Sequence, residues 1–204
     1  MTYKHFVLPL CAIMLLVSSC RKEKPAAVQL PSPEANLIRN LVFTNLTNVE
    51  KNISYGASVT KISSGVVEGN FFLHVEAGET TPGKSAESVR LYINASHLAT
   101  GLAKGYTFGQ AEPALKRVFY SFSFNESATA TWGSITDSKF GVVFEGLLNI
   151  TSHDVKNKLI SGVFEVKARR LLNDPTVKSI AAPIDPANQC DLMLTGTFKN
   201  VKLL

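Results

Sequence analysis

Catalysis by side chains needs reactive groups held together, and this sequence offers few. Of its 4 histidines, His74, His97 and His153 lie beyond the N-terminal segment, and no two are close in sequence. None falls in a His-x-x-x-His zinc spacing, and no Gly-x-Ser-x-Gly nucleophile elbow occurs. His153 and Asp154 are neighbours, but a base and its orienter need a nucleophile within reach. A calcium loop wants acidic residues at alternate positions, whereas Asp174 and Asp185 stand alone. Paired carboxylates could form if Glu68 met Glu76, or Glu145 met Glu165, across strands. Glycoside hydrolysis requires such a pair roughly 5–9.5 Å apart. Yet Glu165 shares a strand face with Lys167 and Arg169, the pattern of a solvated charge ladder. No catalytic residue, metal site or cofactor is therefore expected, and the chain does not read as an enzyme. Aromatic side chains are the remaining handle. Trp132, the only tryptophan, with Tyr106 and Tyr92 could form a flat platform for stacking on sugar rings. The competing role for Trp132 is core packing.

Cys20 has the most specific setting. Lys4 and His5 precede an apolar run of 12 residues from Phe6 to Val17. A membrane span needs roughly 20 residues, so this run has the length of a secretory h-region instead. It closes with Val17-Ser18-Ser19-Cys20, which resembles a bacterial lipobox. The resemblance implies cleavage before Cys20 and attachment of diacylglycerol to its thiol. One acyl chain holds only marginally, at about 0.8 kcal/mol per buried methylene, and two or three make the attachment durable. The expected organisation is a lipoprotein signal peptide over 1–19, a lipidated tether over 20–33, and a single β-rich domain over 34–204 with strands from 53. The tether carries three prolines and four charges and reads as extended. With Cys11 in the signal and Cys20 acylated, Cys190 has no disulfide partner and reads as a small buried apolar residue.

The 204 residues are 45% hydrophobic and 18% charged, which excludes a disordered chain. The formal charge is +5, and Arg21-Lys22-Glu23-Lys24 holds part of that excess beside the membrane. The remainder is too weakly basic to support a nucleic-acid partner.

The elements that must position any site are strands. Val89, Leu91 and Ile93 alternate with Arg90 and Tyr92; Val118, Tyr120, Phe122 and Phe124 alternate with Phe119, Ser121 and Ser123. Phe144, Leu148 and Ile150, then Phe164 and Val166, then Leu192, Leu194 and Phe198 continue the period of two. Each such run puts one face in a core. Turn clusters at Thr81-Pro82-Gly83, Asn125-Glu126-Ser127, Asp154 to Asn157 and Asn173-Asp174-Pro175 separate them. The fold class is all-β, an antiparallel sandwich or barrel. Phe71, Leu91, Phe122, Phe144, Ile150, Phe164, Leu194 and Phe198 are predicted to be buried. A short N-terminal helix over about residues 33–44 is also expected. Ser32-Pro33-Glu34 supplies its cap, and Leu37, Ile38, Leu41 and Val42 its apolar stripe. The rival there is a strand, because Val42-Phe43-Thr44 is β-branched and aromatic.

An apolar-x-Gly-x-Phe pattern recurs at Val67–Phe71, Ile160–Phe164 and Leu194–Phe198, with a looser copy at Phe144–Leu148. On a strand those three positions share one face, so the glycine would leave room for a cross-strand ring or mark a bulge. The stretch from Leu148 to Val166, Leu148-Asn149-Ile150-Thr151 through Asp154 and Asn157 to Ile160-Ser161-Gly162-Val163-Phe164, resembles a hairpin of small Bacteroidota lipoproteins in a domain-of-unknown-function family. Leu194-Thr195-Gly196-Thr197-Phe198 resembles their closing strand. The resemblance implies a sandwich-like fold and an envelope location, and no activity.

The expected role is a lipid-anchored cell-envelope protein, attached to the membrane through Cys20, that binds or scaffolds without catalysis. Its partner would be a glycan or an envelope protein. The alternatives are a carbohydrate-binding accessory lipoprotein of a glycan-uptake system, using Trp132 and nearby tyrosines, and a small envelope hydrolase with a carboxylate pair. In lipoproteins of that group, surface export is tied to acidic residues after the acylated cysteine. The basic Arg21-Lys22-Glu23-Lys24 therefore predicts an outer-membrane lipoprotein whose domain faces the periplasm.

Overall fold

Period-two alternation becomes twelve strands among the described residues of the computed structural model, which covers 29–44, 49–109, 115–138, 141–178 and 185–204. The lipobox, Cys20 and Arg21 to Lys24 lie outside the described residues. In chain order the strands are β1 (Glu34–Ala35), β2 (Leu37–Phe43), β3 (Glu50–Tyr55), β4 (Thr60–Val67), β5 (Asn70–Gly78) and β6 (Lys84–Ile93). They continue with β7 (Gly105–Phe108), β8 (Lys116–Ser127), β9 (Ala130–Asp137), β10 (Phe144–Asp154), β11 (Leu159–Leu171) and β12 (Cys190–Lys202). Two antiparallel sheets result. One runs β3-β2-β12-β11-β10-β7, with β1 also on β12; the other runs β4-β5-β6-β8-β9. Their inner faces form one core, and residues 31–204 make one compact unit. All eight residues predicted to be buried are in that core.

The segment expected to be helical is extended. Leu37, Leu41 and Phe43 are buried with Arg39 on one side of β2, while Ile38 is exposed on the other. Its partner is β12, with Phe43 opposite Cys190 and Leu41 opposite Leu192. A helix would satisfy its own backbone, but β12 would then lose the neighbour that covers its edge. Tertiary pairing overrides the good helix cap at Ser32-Pro33. Asn36 bridges β1 and β2: its side-chain oxygen accepts from Thr197 N at 2.8 Å, and its own N–H donates to Thr197 O at 3.1 Å.

The glycine pattern resolves into two devices. In Val67–Phe71 it is a two-residue hairpin turn rather than a strand face, because Glu68 and Gly69 both have positive φ, 51° and 77°. In β11 and β12 it is reciprocal packing. Gly162 lies opposite Phe198, and Phe164 lies opposite Gly196. A Cβ at Gly162 would sit 2.7 Å from Phe198 Cζ, and one at Gly196 would run into the Phe164 ring. Each ring therefore lies over the glycine of the other strand, which pins the register. The turn expected at Asn125-Glu126-Ser127 shifts: β8 continues to Ser127, and the chain reverses at Ala128-Thr129 after a bulge between Asn125 and Ser127. The Asp154 turn forms as its sequence suggests, with the carboxylate accepting from Asn157 N at 3.0 Å and Asn157 Nδ2 at 2.7 Å.

Candidate functional site

Alternation on the five-stranded sheet sorts its side chains into an inner and an outer set, and the two contain different polar groups. On the inner face, Glu87 of β6 has the parity of Val89, Leu91 and Ile93 and is 1% exposed. A lone buried carboxylate would be prohibitive, so partners must meet it. Arg39 Nε of β2 donates to its Oε1 at 2.8 Å, Tyr55 OH of β3 to Oε1 at 2.7 Å, and Tyr120 OH of β8 to Oε2 at 2.9 Å. The group thus spans both sheets. Burial acts against the Arg39 cation, but Glu87 outweighs it and raises the pKa above the ordinary value. Burial first, then Glu87, pushes both tyrosines upward, so they stay protonated donors. The Arg39 guanidinium also lies 5.9 Å from the Phe122 ring centroid. With every member tucked between the sheets, this cluster is an inter-sheet clamp rather than a place for a ligand.

The outer face is built differently. Register places Ser63, His74, Arg90 and Phe119 in one row across β4, β5, β6 and β8, and Gly65, Phe72, Tyr92 and Arg117 in the next. Phe72, Tyr92 and Phe119 are half-buried although they face outward. Arg117 is engaged by Asp137 at 3.0 Å. Arg90 is exposed and makes no ion pair among the described residues. Beside it, His74 Nε2 lies 2.7 Å from Ser88 Oγ and 3.6 Å from Glu76 Oε1. Burial is the largest influence on His74 and lowers its pKa; Glu76 opposes this and Arg90 adds to it. The imidazole is therefore neutral at pH 7. Next to Ser88 a groove of about 560 Å³ continues along Ser121, Ser123, Glu76, Glu79 and Thr80.

A serine touching a neutral histidine suggests nucleophilic chemistry, but the geometry does not complete it. Glu76 approaches the same nitrogen as Ser88, whereas an orienting carboxylate must hold Nδ1. Ser88 also lies mid-strand between β5 and β8, so the surrounding N–H groups belong to sheet ladders and cannot form an oxyanion hole. What the face can do is bind: it offers rings, hydroxyls and one unengaged guanidinium on a rigid surface.

The three aromatic residues expected to form a platform do not come together. Tyr106, expected on that platform, is buried with Phe108 on the inner side of β7. The Tyr106 hydroxyl donates to Leu102 O at 2.8 Å, and that local partner makes its burial inexpensive. Trp132 lies half-buried on β9, with ring centroids 5.6 Å from Phe122 and 5.8 Å from Phe124. Tyr92 alone faces outward, next to Phe72 and diagonal to Phe119. Neither carboxylate pair lies directly opposite in register. Glu68 occupies the β4–β5 turn, whereas Glu76 lies well along β5, opposite Lys61. Glu145 lies opposite Lys167 and 3.7 Å from Arg169, with both side chains exposed. His74, His97 and His153 occupy β5, the turn after β6 and the end of β10. Among the described residues no group of three ligating side chains forms a metal site. Cys190 is fully buried, and burial, then Asp174 and Asp191, pushes its thiol up to about 12.

Sequence reasoning passed over Phe72, Phe119, His74, Ser88 and Arg90 as a group. The available signal was aromatic residues on the outward parity of three strands, but only register shows that they are adjacent. Comparison with protein-family models, with curated proteins and with solved structures returns no match for this chain.

Proposed function

We propose that this chain is a lipid-anchored outer-membrane lipoprotein of the small Bacteroidota type, a binding or scaffolding protein without catalysis. Its binding face is the outer surface of the five-stranded sheet. The anchor reading is supported by Val17-Ser18-Ser19-Cys20 after an apolar run, and the periplasm-facing orientation by the basic Arg21-Lys22-Glu23-Lys24. The binding reading is carried by one observation: Phe72, Tyr92 and Phe119 sit on the outward side of adjacent strands around an unengaged Arg90. A face that met only water would be served by polar side chains there. Carbohydrate binding is the favoured form of this reading, because rings beside serines suit amphipathic sugar surfaces.

A photo-crosslinking residue placed at position 92, and separately at Val163 on the outside of the other sheet, tests the assignment in living cells. The proposal expects adducts from position 92 and few from 163. Adducts from 163 alone would move the binding face to the seven-stranded sheet. Proteinase K added to intact cells reports the orientation, and rapid digestion of the domain would place it outside.

A further inference from the structure

We infer that the outer face of the five-stranded sheet binds an acidic sugar, with the Arg90 guanidinium receiving the carboxylate of a uronic acid. This rests on that face being the binding face. Arg90 occupies a mid-strand position on β6, with His74 beside it on β5, Phe119 beside it on β8, and Ser88 and Tyr92 before and after it on the same outer parity. Neighbouring strands are about 4.8 Å apart, and same-face residues along a strand about 6.8 Å. The ring of neighbours therefore encloses an area the size of one or two pyranose rings.

The charges select the ligand. Arg117, the next cation on the face, is taken by Asp137 at 3.0 Å. Lys61 lies opposite Glu76 in the ladder, and His74 is held neutral at pH 7. Arg90 and Lys61 are thus the cations of this face without an ion pair among the described residues, and Arg90 is the one set between aromatic rings, Phe119 and Tyr92. Its planar fork matches a carboxylate with two parallel hydrogen bonds. A free anion would need nothing more, but Phe119 and Tyr92 flank the guanidinium with apolar ring surface. Such surface suits the C–H face of the sugar that bears the acid. Ser88 and Ser121, opposite each other on the outer parity of β6 and β8, then supply partners for ring hydroxyls.

The test is isothermal titration of the full-length lipidated protein in detergent micelles with tri-galacturonate. The parallel probes are the neutral galactose trimer and inorganic phosphate. Tri-galacturonate should bind at least tenfold more tightly than either. Arg90→Ala should weaken it at least tenfold, Arg90→Lys less, and Tyr92→Ala about fivefold. Arg169→Ala, on the other sheet, should change nothing. Unchanged Trp132 fluorescence midpoints in urea would show that the variants remain folded. Equal binding of the neutral trimer, equal binding of phosphate, no binding of tri-galacturonate, or indifference to Arg90→Ala would each overturn the inference. If tri-galacturonate fails while crosslinks from position 92 persist, the ligand class is wrong and the face is right. If both fail, the binding face itself is wrong.

Discussion

Removing the Glu87 carboxylate should be among the most damaging single changes in the domain. Glu87→Ala leaves the Arg39 cation and the Tyr55 and Tyr120 hydroxyls facing each other across the sheets without the carboxylate they share. Breaking a buried ion pair in this way costs about 3–5 kcal/mol. Each orphaned hydroxyl adds to that, though less than additively. Against a total stability of about 5–15 kcal/mol the loss is large. With a urea slope of about 2 kcal/mol per molar, the midpoint should fall by about 1.5–2.5 M. Trp132 reports directly, since it packs against Phe122, whose ring also lies under Arg39. Urea titration of a 29–204 fragment by tryptophan fluorescence is the assay. The double variant Arg39→Met with Glu87→Leu should recover at least about 1 kcal/mol relative to Glu87→Ala, because no unpaired ion remains buried. The clamp interpretation fails if Glu87→Ala costs under about 1 kcal/mol, or if the double variant loses the full sum of its two single changes.

Three further outcomes follow from the geometry. Gly162→Val should lower the urea midpoint more than Ser161→Val: the new side chain meets Asn149 O and the Phe198 ring, overpacking by about 1–3 kcal/mol. Ser161→Val forfeits the bond from Asn200 N at 3.1 Å, about 1 kcal/mol, so equal losses would show the register to be wrong. Cys190, with its thiol pushed up to about 12, should resist a disulfide reagent at pH 8 in the folded fragment and react at once in urea; rapid native labelling would contradict its burial. Because folding lowers the His74 pKa, the unfolded chain takes up that proton first. This contribution to stability is present above about pH 6.5 and is lost as pH falls towards the folded value. His74→Gln should flatten the pH dependence there, and an unaltered slope would count against the buried, Ser88-bonded imidazole.

How much was legible in the sequence depends on the range over which a residue's fate is decided. Phe122, Phe144, Phe164 and Phe198 could be placed in the core because alternation is local and strong. Glu87 and Arg39 broke that alternation, each on the apolar parity of its strand, and two opposite charges misplaced in the same sense point to a buried pair. That signal was readable but required comparing segments 48 residues apart. The helix expected over 33–44 gave way to β2 because its partner, β12, lies near the opposite end of the sequence. Tyr106 was misplaced because the carbonyl that satisfies its hydroxyl comes from an irregular turn. The candidate site was the least legible. Arg90, Phe119 and His74 become neighbours only through the β5–β6 and β6–β8 registers, which the loops between those strands fix.

Tyrosine modification read by mass spectrometry tests the central claim most directly, because four tyrosines of the domain report on two environments. Tyr55, Tyr106 and Tyr120 are buried, while Tyr92 lies on the outer face of the five-stranded sheet. Purified protein and protein in cells that produce it would be treated with the same iodinating reagent. Modification of Tyr92 in the purified protein, its protection in the cells, and silence of the other three in both would support an occupied binding face. Equal modification of Tyr92 in the two preparations would contradict it.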